Sequence, residues 1–269
     1  ENIMIDIHTH VLFGLDDGAQ SLEESIAIIQ KYIENGYKGV VATPHHYNGK
    51  YLPSKEAIIE SRQTILNELK NQNINFEIYL GNEIFLDENT LHELENNEVF
   101  TLADSKYVLI EFPFLGKVNY APSLIYQIQL SGYIPVLAHV ERYQVTKEEF
   151  DFIEKIYKAG ALFQINLSSL KNESSQEYKM ANKLLDKNMV QIVGTDTHSP
   201  ERRNPDVKKQ LDYLKNKMGQ NWYNEVVIGN PQKIIHDEFI RRTELVDEIP
   251  KIKKESFWKK ILRRNKNEK

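Results

Sequence analysis

The sequence predicts an α/β fold, a single irregular barrel in which seven parallel strands alternate with helices. Short apolar segments alternate with segments of helical period, which is typical of βα units and a parallel sheet. Almost every apolar segment is followed by a residue able to bind a metal. A closed barrel gathers that many strand ends around one point, whereas an open doubly wound sheet binds ligands at one switch point. A chain of 269 residues suits one such barrel.

The predicted strands are short and bounded by polar or glycine residues. In chain order they are residues 3–7, 39–44, 76–80, 107–110, 134–138, 161–165 and 190–194. Helices are predicted before several of them. Ser21 with Glu24 forms a capping box, and Gly36 marks the end of that helix. Further helices are predicted over 122–130, from Thr146 to Gly160, and before Asn188, while the polar stretch 167–178 predicts a loop at the rim of the site.

Candidate metal ligands follow the strands in order. His8-Thr9-His10 closes the first strand, and residues two apart in a strand project to the same face. Asp196-Thr197-His198 follows the last strand. The full set of candidates is His8, His10, Asp17, His45, Glu83, Glu111, His139, Asp196 and His198. It contains five of the eight histidines in the chain, and its repetition at strand ends indicates a metal centre.

The chemistry of this set favours two or three ions. Mixed imidazole and carboxylate ligands suit Mn, Zn or Fe, and at roughly three protein ligands per catalytic ion nine residues exceed one site. Zero cysteines exclude thiolate ligands, disulfides and a cysteine nucleophile. Some of these residues could have a purely structural role instead of binding a metal. Glu111 could be a strand carboxylate paired with a lysine, His139 a core imidazole, and Asp17 a turn or cap residue.

Seven short motifs, in this order and spacing, resemble the polymerase and histidinol phosphatase (PHP) superfamily. They are Asp6-Ile7-His8-Thr9-His10, Asp16-Asp17-Gly18, Thr43-Pro44-His45, Gly81-Asn82-Glu83, Leu109-Ile110-Glu111-Phe112, Ala138-His139-Val140-Glu141-Arg142 and Asp196-Thr197-His198. Within it the chain resembles the manganese-dependent tyrosine-protein phosphatases of bacterial capsule and exopolysaccharide operons. The resemblance runs from about residue 4 to about residue 240. It implies a TIM-like barrel of PHP type and a three-metal site, usually of manganese, although Fe, Zn or Mg would also fit.

The resemblance also implies which residues hold each ion and which bind the phosphate. Barrel closure would bring Asp196 to His8 and His10 on one ion. Glu83 would bridge to a second ion held with Glu111 and His139, and Asp17, His45 and His198 would hold the third. Arg142 and Arg203 match phosphate-binding positions, where the guanidinium fork suits phosphoryl oxygens. A hydroxide bridging the metals, formed because bound water has a pKa near ~7, would attack phosphorus.

We therefore expect a hydrolase that removes phosphate from tyrosines of an autophosphorylating bacterial tyrosine kinase and so regulates polysaccharide synthesis. The alternative is a small-molecule phosphomonoesterase such as histidinol-phosphate phosphatase. The net negative charge of the chain before residue 250 argues against a nucleic-acid-binding surface. An amidohydrolase is disfavoured because the fourth strand ends in Glu111 rather than in the lysine that many amidohydrolases carbamylate.

The two ends of the chain differ in charge. Residues 250–269 hold nine Lys or Arg against two Glu, a net +7, so the remainder carries −12 of the overall −5. The expected division is a phosphatase barrel over 1–249 and a basic amphipathic tail over 250–269, whose residues 251–269 would contact an anionic membrane or an acidic partner. The start of the chain lacks the basic region of a signal peptide, and no apolar run approaches ~20 residues. The expected location is cytoplasmic, with peripheral contact at the inner face of the membrane.

Overall fold

The computed structural model describes residues 3–113, 119–143 and 147–242. Its strands are β1 (Met4–Thr9), β2 (Tyr37–Ala42), β3 (His45–His46), β4 (Glu77–Leu80), β5 (Glu83–Phe85), β6 (Tyr107–Glu111), β7 (Ile134–Leu137), β8 (Leu162–Asn166) and β9 (Ile192–Gly194). Its α-helices are α1 (Leu22–Glu34), α2 (Lys55–Asn71), α3 (Thr90–Glu95), α4 (Ala121–Leu130), α5 (Lys147–Lys158), α6 (Gln176–Asp186), α7 (Lys208–Met218), α8 (Gln220–Tyr223) and α9 (Asn230–Ile235). The predicted tail, residues 250–269, lies outside the described residues.

All strand pairs named in the two sheets are parallel. The first sheet has the order β1-β2-β4, and the second has the order β3-β5-β6-β7-β8-β9. The predicted strands 39–44 and 76–80 correspond to β2 and β4, and the short strands β3 and β5, which were not predicted, follow them after Thr43-Pro44 and Gly81-Asn82. Asn82 holds the two connecting segments together with hydrogen bonds. Its Nδ2 donates to Pro44 O at 3.0 Å, and its Oδ1 accepts from Phe100 N at 2.8 Å. Each connecting segment is followed by a candidate metal ligand, His45 at the start of β3 and Glu83 at the start of β5.

The sheet curls so that the end of β9 reaches β1. Thr9 and Thr197 form a parallel bridge. The His10 amide donates to Thr197 O at 2.8 Å, and the Asp196 amide donates to His8 O at 2.9 Å. The predicted α/β class with a parallel sheet is confirmed, and a closed barrel of exactly seven strands stays a prediction.

Helix α1 shows why the local sequence folds as predicted. Ser21 caps it by accepting a hydrogen bond from Glu24 N at 3.3 Å, and Gly36 follows it with a φ of +88°. Its buried face contributes Ile28 and Ile29 to the main core, which lies between the helices and the sheet. The expected loop over 167–178 is wrong in part: residues 167–170 form a 3₁₀-helix, and α6 begins after Ser175, whose hydroxyl accepts from Tyr178 N.

A smaller apolar cluster joins side chains of the strands to the C-terminal part of the described chain. It includes Ile7, Val41 and Leu109 from the strands and Ile234 from α9, all of them fully buried. Burial of these side chains fixes the strands relative to one another and so fixes where their ends point. None of the described helices is both long enough and apolar enough to span a membrane.

Candidate metal centre

The structure brings all nine candidate ligands to one end of the sheet. His8 lies in β1 and His10 directly follows the end of that strand, while His45 opens β3, Glu83 opens β5 and Glu111 closes β6. Beyond the strands, His139 follows β7, Asp196 and His198 follow β9, and Asp17 lies in the loop after β1. The ligand atoms form three groups, and within each group all of them lie within 4.8 Å of one another. The groups are His10, Asp17, His45 and His198; His8, His10, Glu83 and Asp196; and His45, Glu83 and Glu111.

Glu83 is the centre of this arrangement. Its Oε2 lies 3.2 Å from His8 Nε2, 3.1 Å from His10 Nε2 and 3.2 Å from His45 Nδ1. Its Oε1 lies 2.7 Å from Nε2 of His139, which is also 3.6 Å from Glu111 Oε2. One buried carboxylate therefore faces four imidazoles, which is the arrangement expected of a carboxylate shared between neighbouring ions.

The donor atoms are placed to bind divalent cations rather than to hydrogen-bond with one another. Several buried atoms in the cluster lie within 3.1–3.5 Å of an oppositely charged side chain yet make no hydrogen bond within the described part of the chain. They are Nε2 of His8, His10 and His198, Nδ1 of His45 and Oε2 of Glu83. A buried polar atom without a hydrogen bond costs about 1–3 kcal/mol, so a cluster of them in one place needs an explanation. Ions bound between these imidazoles and carboxylates would satisfy them all.

Neighbouring side chains hold the imidazoles with one nitrogen turned into the cluster. His10 Nδ1 lies 2.7 Å from Asp16 Oδ2, and His8 Nδ1 lies 3.1 Å from Gln164 Oε1. Asp16 is itself fixed by the amide of Gly18, where any side chain would overlap the His10 carbonyl. Such partners fix the tautomer and orientation of metal-binding histidines.

Burial and charge shift the pKa values of the cluster in opposite directions. Burial alone would lower the pKa of His8, but the Glu83 and Asp196 carboxylates outweigh it and raise the pKa to about 9. Burial lowers the pKa of His198 to about 4, with the neighbouring His10 adding to the effect. Burial would raise the pKa of Glu83, but the surrounding histidines hold it well below its usual range. The carboxylates that raise the pKa of His8 would attract a bound cation in the same way.

Two ligand candidates adopt left-handed backbone conformations. The φ angle is +36° at His139 and +52° at Asp196, a region that residues other than glycine rarely occupy. Both residues follow the end of a strand, where the turn redirects the side chain toward the cluster. Strained backbone of this kind is concentrated at functional sites, because the surrounding structure must hold it in place.

The predicted arginines meet at Asp196. Arg142 Nη1 donates to Asp196 Oδ2 at 3.2 Å and Arg203 Nη2 donates to the same oxygen at 2.5 Å, joined by Asn166 Nδ2 at 2.7 Å. Both arginine side chains remain partly exposed, 34% and 41%, and both line a cavity of about 440 Å³ that opens on the cluster. A cation pair at the mouth of a metal cluster suits an anionic ligand.

The comparisons with known proteins agree with this site. Residues 4–236 match the family described as capsular polysaccharide synthesis, CpsB/CapC. The chain belongs to this family. Among CpsB/CapC relatives, the tyrosine-protein phosphatase YwqE of Bacillus subtilis is 34% identical over 217 residues, covering 80% of this chain and 85% of YwqE. The tyrosine-protein phosphatase CpsB of Streptococcus pneumoniae is 31% identical over 243 residues, covering 88% of this chain and all of CpsB.

Solved structures give the same assignment at the level of the fold. A crystal structure from work on YwqE of B. subtilis and CpsB of S. pneumoniae, described as unique metal-dependent tyrosine phosphatases, has a TM-score of 0.85 and 31% identity, covering 91% of this chain and 100% of that one. Histidinol phosphate phosphatase of Lactococcus lactis, solved with zinc, L-histidinol and phosphate, has a TM-score of 0.54 at 15% identity, covering 80% and 94%. That more distant similarity concerns the fold alone.

Within this CpsB/CapC chain, the contacts of Glu111 and Asp17 bear on two of the simpler alternatives. The ion-pair partners of Glu111 among the described residues are His45 and His139 rather than a lysine. Asp17 lies 3.4 Å from His45 Nε2 and 3.5 Å from His198 Nε2, so its carboxylate faces the cluster.

Sequence reasoning missed the supporting residues Asp16 and Gln164. The available signals were the acidic neighbour of Asp17 and a polar residue inside an otherwise apolar strand. In the sequence, Phe13, Tyr47, Tyr51 and Phe114 lie in predicted loops, where each could contact a substrate ring or simply pack within its loop. Tyr47 and Tyr51 line the cavity, Phe13 packs against the main core, and Phe114 lies outside the described residues.

Proposed function

We propose that this CpsB/CapC-family chain is a metal-dependent protein-tyrosine phosphatase, a phosphoric monoester hydrolase. The observation that carries the proposal is the cluster of nine imidazole and carboxylate side chains beneath a cavity lined by Arg142 and Arg203. The names of the relatives YwqE and CpsB support tyrosine phosphate as the substrate.

The proposed cofactor is Mn²⁺, as two or three ions. His8, His10 and Asp196 would hold one ion. Glu83, with Glu111 and His139, would hold the second, and Asp17, His45 and His198 the third. When bound, such ions lower the pKa of water toward about 7 and offset the negative charge of a phosphoryl group. The pairing of His10 with Asp17, His45 and His198 in one group of ligand atoms supports closely spaced, shared sites.

The chain's own residues bind and orient the phosphate ester. Arg142 and Arg203 would each direct guanidinium N–H groups at phosphoryl oxygens while Asp196 Oδ2 keeps them side by side. Asn166 Nδ2 holds that same Asp196 oxygen from within β8. The leaving group is a tyrosinate with a pKa of about 10, which departs more readily than the alkoxide of serine.

The proposed substrate is the tyrosine-rich tail of an autophosphorylating bacterial kinase, and the proposed process is capsular or exopolysaccharide synthesis. The family description supports the process. We place the enzyme in the cytoplasm, with residues 1–249 as the phosphatase barrel and the basic residues 251–269 as a peripheral contact to the inner face of the membrane. Hydrogen bonds between the ends of β1 and β9 support closure of seven strands, with β2–β3 and β4–β5 each counted once.

Phosphate release tests this function most simply. The purified chain is given a tyrosine-phosphorylated kinase-tail peptide or histidinol phosphate, each with Mn²⁺ and after chelation. We expect turnover that prefers the peptide and disappears on chelation. Preference for histidinol phosphate would replace the proposal with the small-molecule phosphatase. Deletion of residues 251–269 is expected to weaken binding to anionic liposomes while leaving turnover of a small aryl phosphate unchanged, and a loss of that turnover at full metal content would contradict the assigned role of the segment.

A further inference from the structure

One wall of the cavity is a stacked aromatic pair. The rings of Tyr47 and Phe85 lie nearly parallel, 5° apart, with their centroids separated by 4.0 Å. Both side chains are half-buried and both line the cavity of about 440 Å³ that holds the metal ligands and the two arginines. A stacked pair at the edge of a charged site gives a flat apolar surface where the remaining lining is largely ionic.

A short turn fixes Tyr47 in this position. Tyr47 and Tyr51 pair through their backbones, with N···O distances of 2.7 and 2.9 Å, and the Lys50 amide donates to Tyr47 O at 3.0 Å. Gly49 allows the turn through its φ of +83°, a conformation that favours glycine. The Asn48-Gly49 pair is a sequence signal for such a turn.

The turn is also tied to the strand that carries Phe85. Asn48 Nδ2 donates to Asp87 Oδ2 at 2.7 Å, two residues beyond Phe85. On the other side of the turn, the Tyr51 ring stacks on the ligand candidate His45, with an interplanar angle of 11° and centroids 5.6 Å apart. The aromatic surface is therefore held in a fixed relation to the metal cluster rather than carried on a free loop.

We propose that the Tyr47–Phe85 pair is the aryl-binding wall of the cavity and selects phosphotyrosine over phosphoserine. This inference rests on the proposed function. With the phosphoryl group at the arginines and the metal ligands, the phenyl ring of phosphotyrosine packs against Tyr47 and Phe85. The single methylene of phosphoserine leaves that surface uncovered, so the wall adds binding energy for one ester alone.

The test compares two peptides that differ only in carrying phosphotyrosine or phosphoserine at one position. The ratio of their kcat/KM values is measured for the Mn²⁺-loaded wild-type chain and for Tyr47→Leu and Phe85→Leu. Tyr47→Phe is the matched control, because the Tyr47 hydroxyl makes no hydrogen bond to any described residue. Tyr126→Leu removes a 58% exposed ring on α4 that does not line the cavity. Bound metal and the thermal midpoint are recorded for each variant.

We expect each leucine variant to lower the selectivity ratio about tenfold, mainly through the phosphotyrosine peptide, as loss of a ring contact would do. Tyr47→Phe and Tyr126→Leu should keep the wild-type ratio. An unchanged ratio in both leucine variants, with full metal content, would overturn the aryl wall while leaving the proposed phosphatase intact. A loss in Tyr47→Phe equal to that in Tyr47→Leu would also overturn it. A wild-type chain that releases phosphate from neither peptide would instead refute the proposed function.

Discussion

Replacement of Asp16 by asparagine should weaken metal binding without touching a ligand. The Asp16 carboxylate accepts three hydrogen bonds: Oδ2 from His10 Nδ1 at 2.7 Å and from the His45 amide at 2.8 Å, and Oδ1 from the Gly18 amide at 2.8 Å. All three partners are donors, so the amide group of asparagine must face at least one of them with its own N–H groups. The less costly orientation of the asparagine amide keeps its oxygen at the position of Oδ2 and loses only the hydrogen bond from the Gly18 amide.

The magnitude follows from this geometry. One buried donor left without an acceptor costs about 1–3 kcal/mol of unfolding free energy. The loss of the negative charge beside His10 has a second effect, because it makes that imidazole a weaker ligand. Changes to such supporting partners typically reduce metal affinity about 10- to 100-fold. We therefore expect Asp16→Asn to fold, with a lowered thermal midpoint and a Mn²⁺ affinity reduced by that factor.

The assay is a Mn²⁺ titration of the chelated protein against a competing metal indicator, with thermal unfolding in chelator run in parallel. Asp87→Asn is the matched control, because Asp87 also accepts from a backbone amide and from a side chain but makes no hydrogen bond or ion pair with a histidine in the described part of the chain. A folded Asp16→Asn variant that binds Mn²⁺ as tightly as the wild type would refute the assigned role of Asp16.

Three further predictions concern the two arginines, the pH dependence of stability and Gln164. Arg142→Met and Arg203→Met should each lower kcat/KM for a phosphotyrosine peptide roughly 100-fold at unchanged metal content, and activity that survives both changes would exclude them as phosphate ligands. In the metal-free protein His8 has a pKa raised from 6.5 to about 9, so its stabilising contribution, on the order of 3 kcal/mol, is complete below pH 6.5 and lost as pH rises through 9. Urea unfolding should therefore show chelated protein losing stability over that range while the Mn²⁺-loaded protein does not, and parallel pH profiles would contradict this. Gln164→Leu should reduce the unfolding free energy by about 2–4 kcal/mol, because its Oε1 accepts from the His139 amide and from His8; an unchanged denaturation midpoint would contradict that accounting.

Much of the site could be predicted from the sequence because a parallel α/β sheet places all strand ends at one edge. Once a strand is recognised, the residue after it is located without further knowledge, which is why His8, Glu111 and Asp196 could be assigned to one cluster. The N-cap at Ser21 is a local feature of the same kind and could be predicted as well, although the Glu24 carboxylate accepts from the Gln20 amide rather than from that of Ser21 as a capping box requires. The same local reasoning misplaced 167–178, where Ser175 is a helix cap rather than part of a loop.

The parts that could not be predicted depend on contacts between distant segments. Gln164 reaches His8 across 156 positions of sequence, and no local pattern indicates that pair. The short strands β3 and β5, which follow the predicted strands, likewise depend on distant contacts, among them the bonds from Asn82 to Pro44 and Phe100. The aromatic wall required the three-dimensional placement of Tyr47 beside Phe85.

The most direct test of the central claim is to count bound Mn²⁺ while measuring phosphate release from a phosphotyrosine peptide, as the ion is titrated into chelated protein. The arrangement of the nine ligands predicts no turnover without metal and full turnover at two or three ions per chain. Full turnover in the presence of excess chelator, or full occupancy by Mn²⁺ without release of phosphate, would contradict a metal-dependent tyrosine phosphatase.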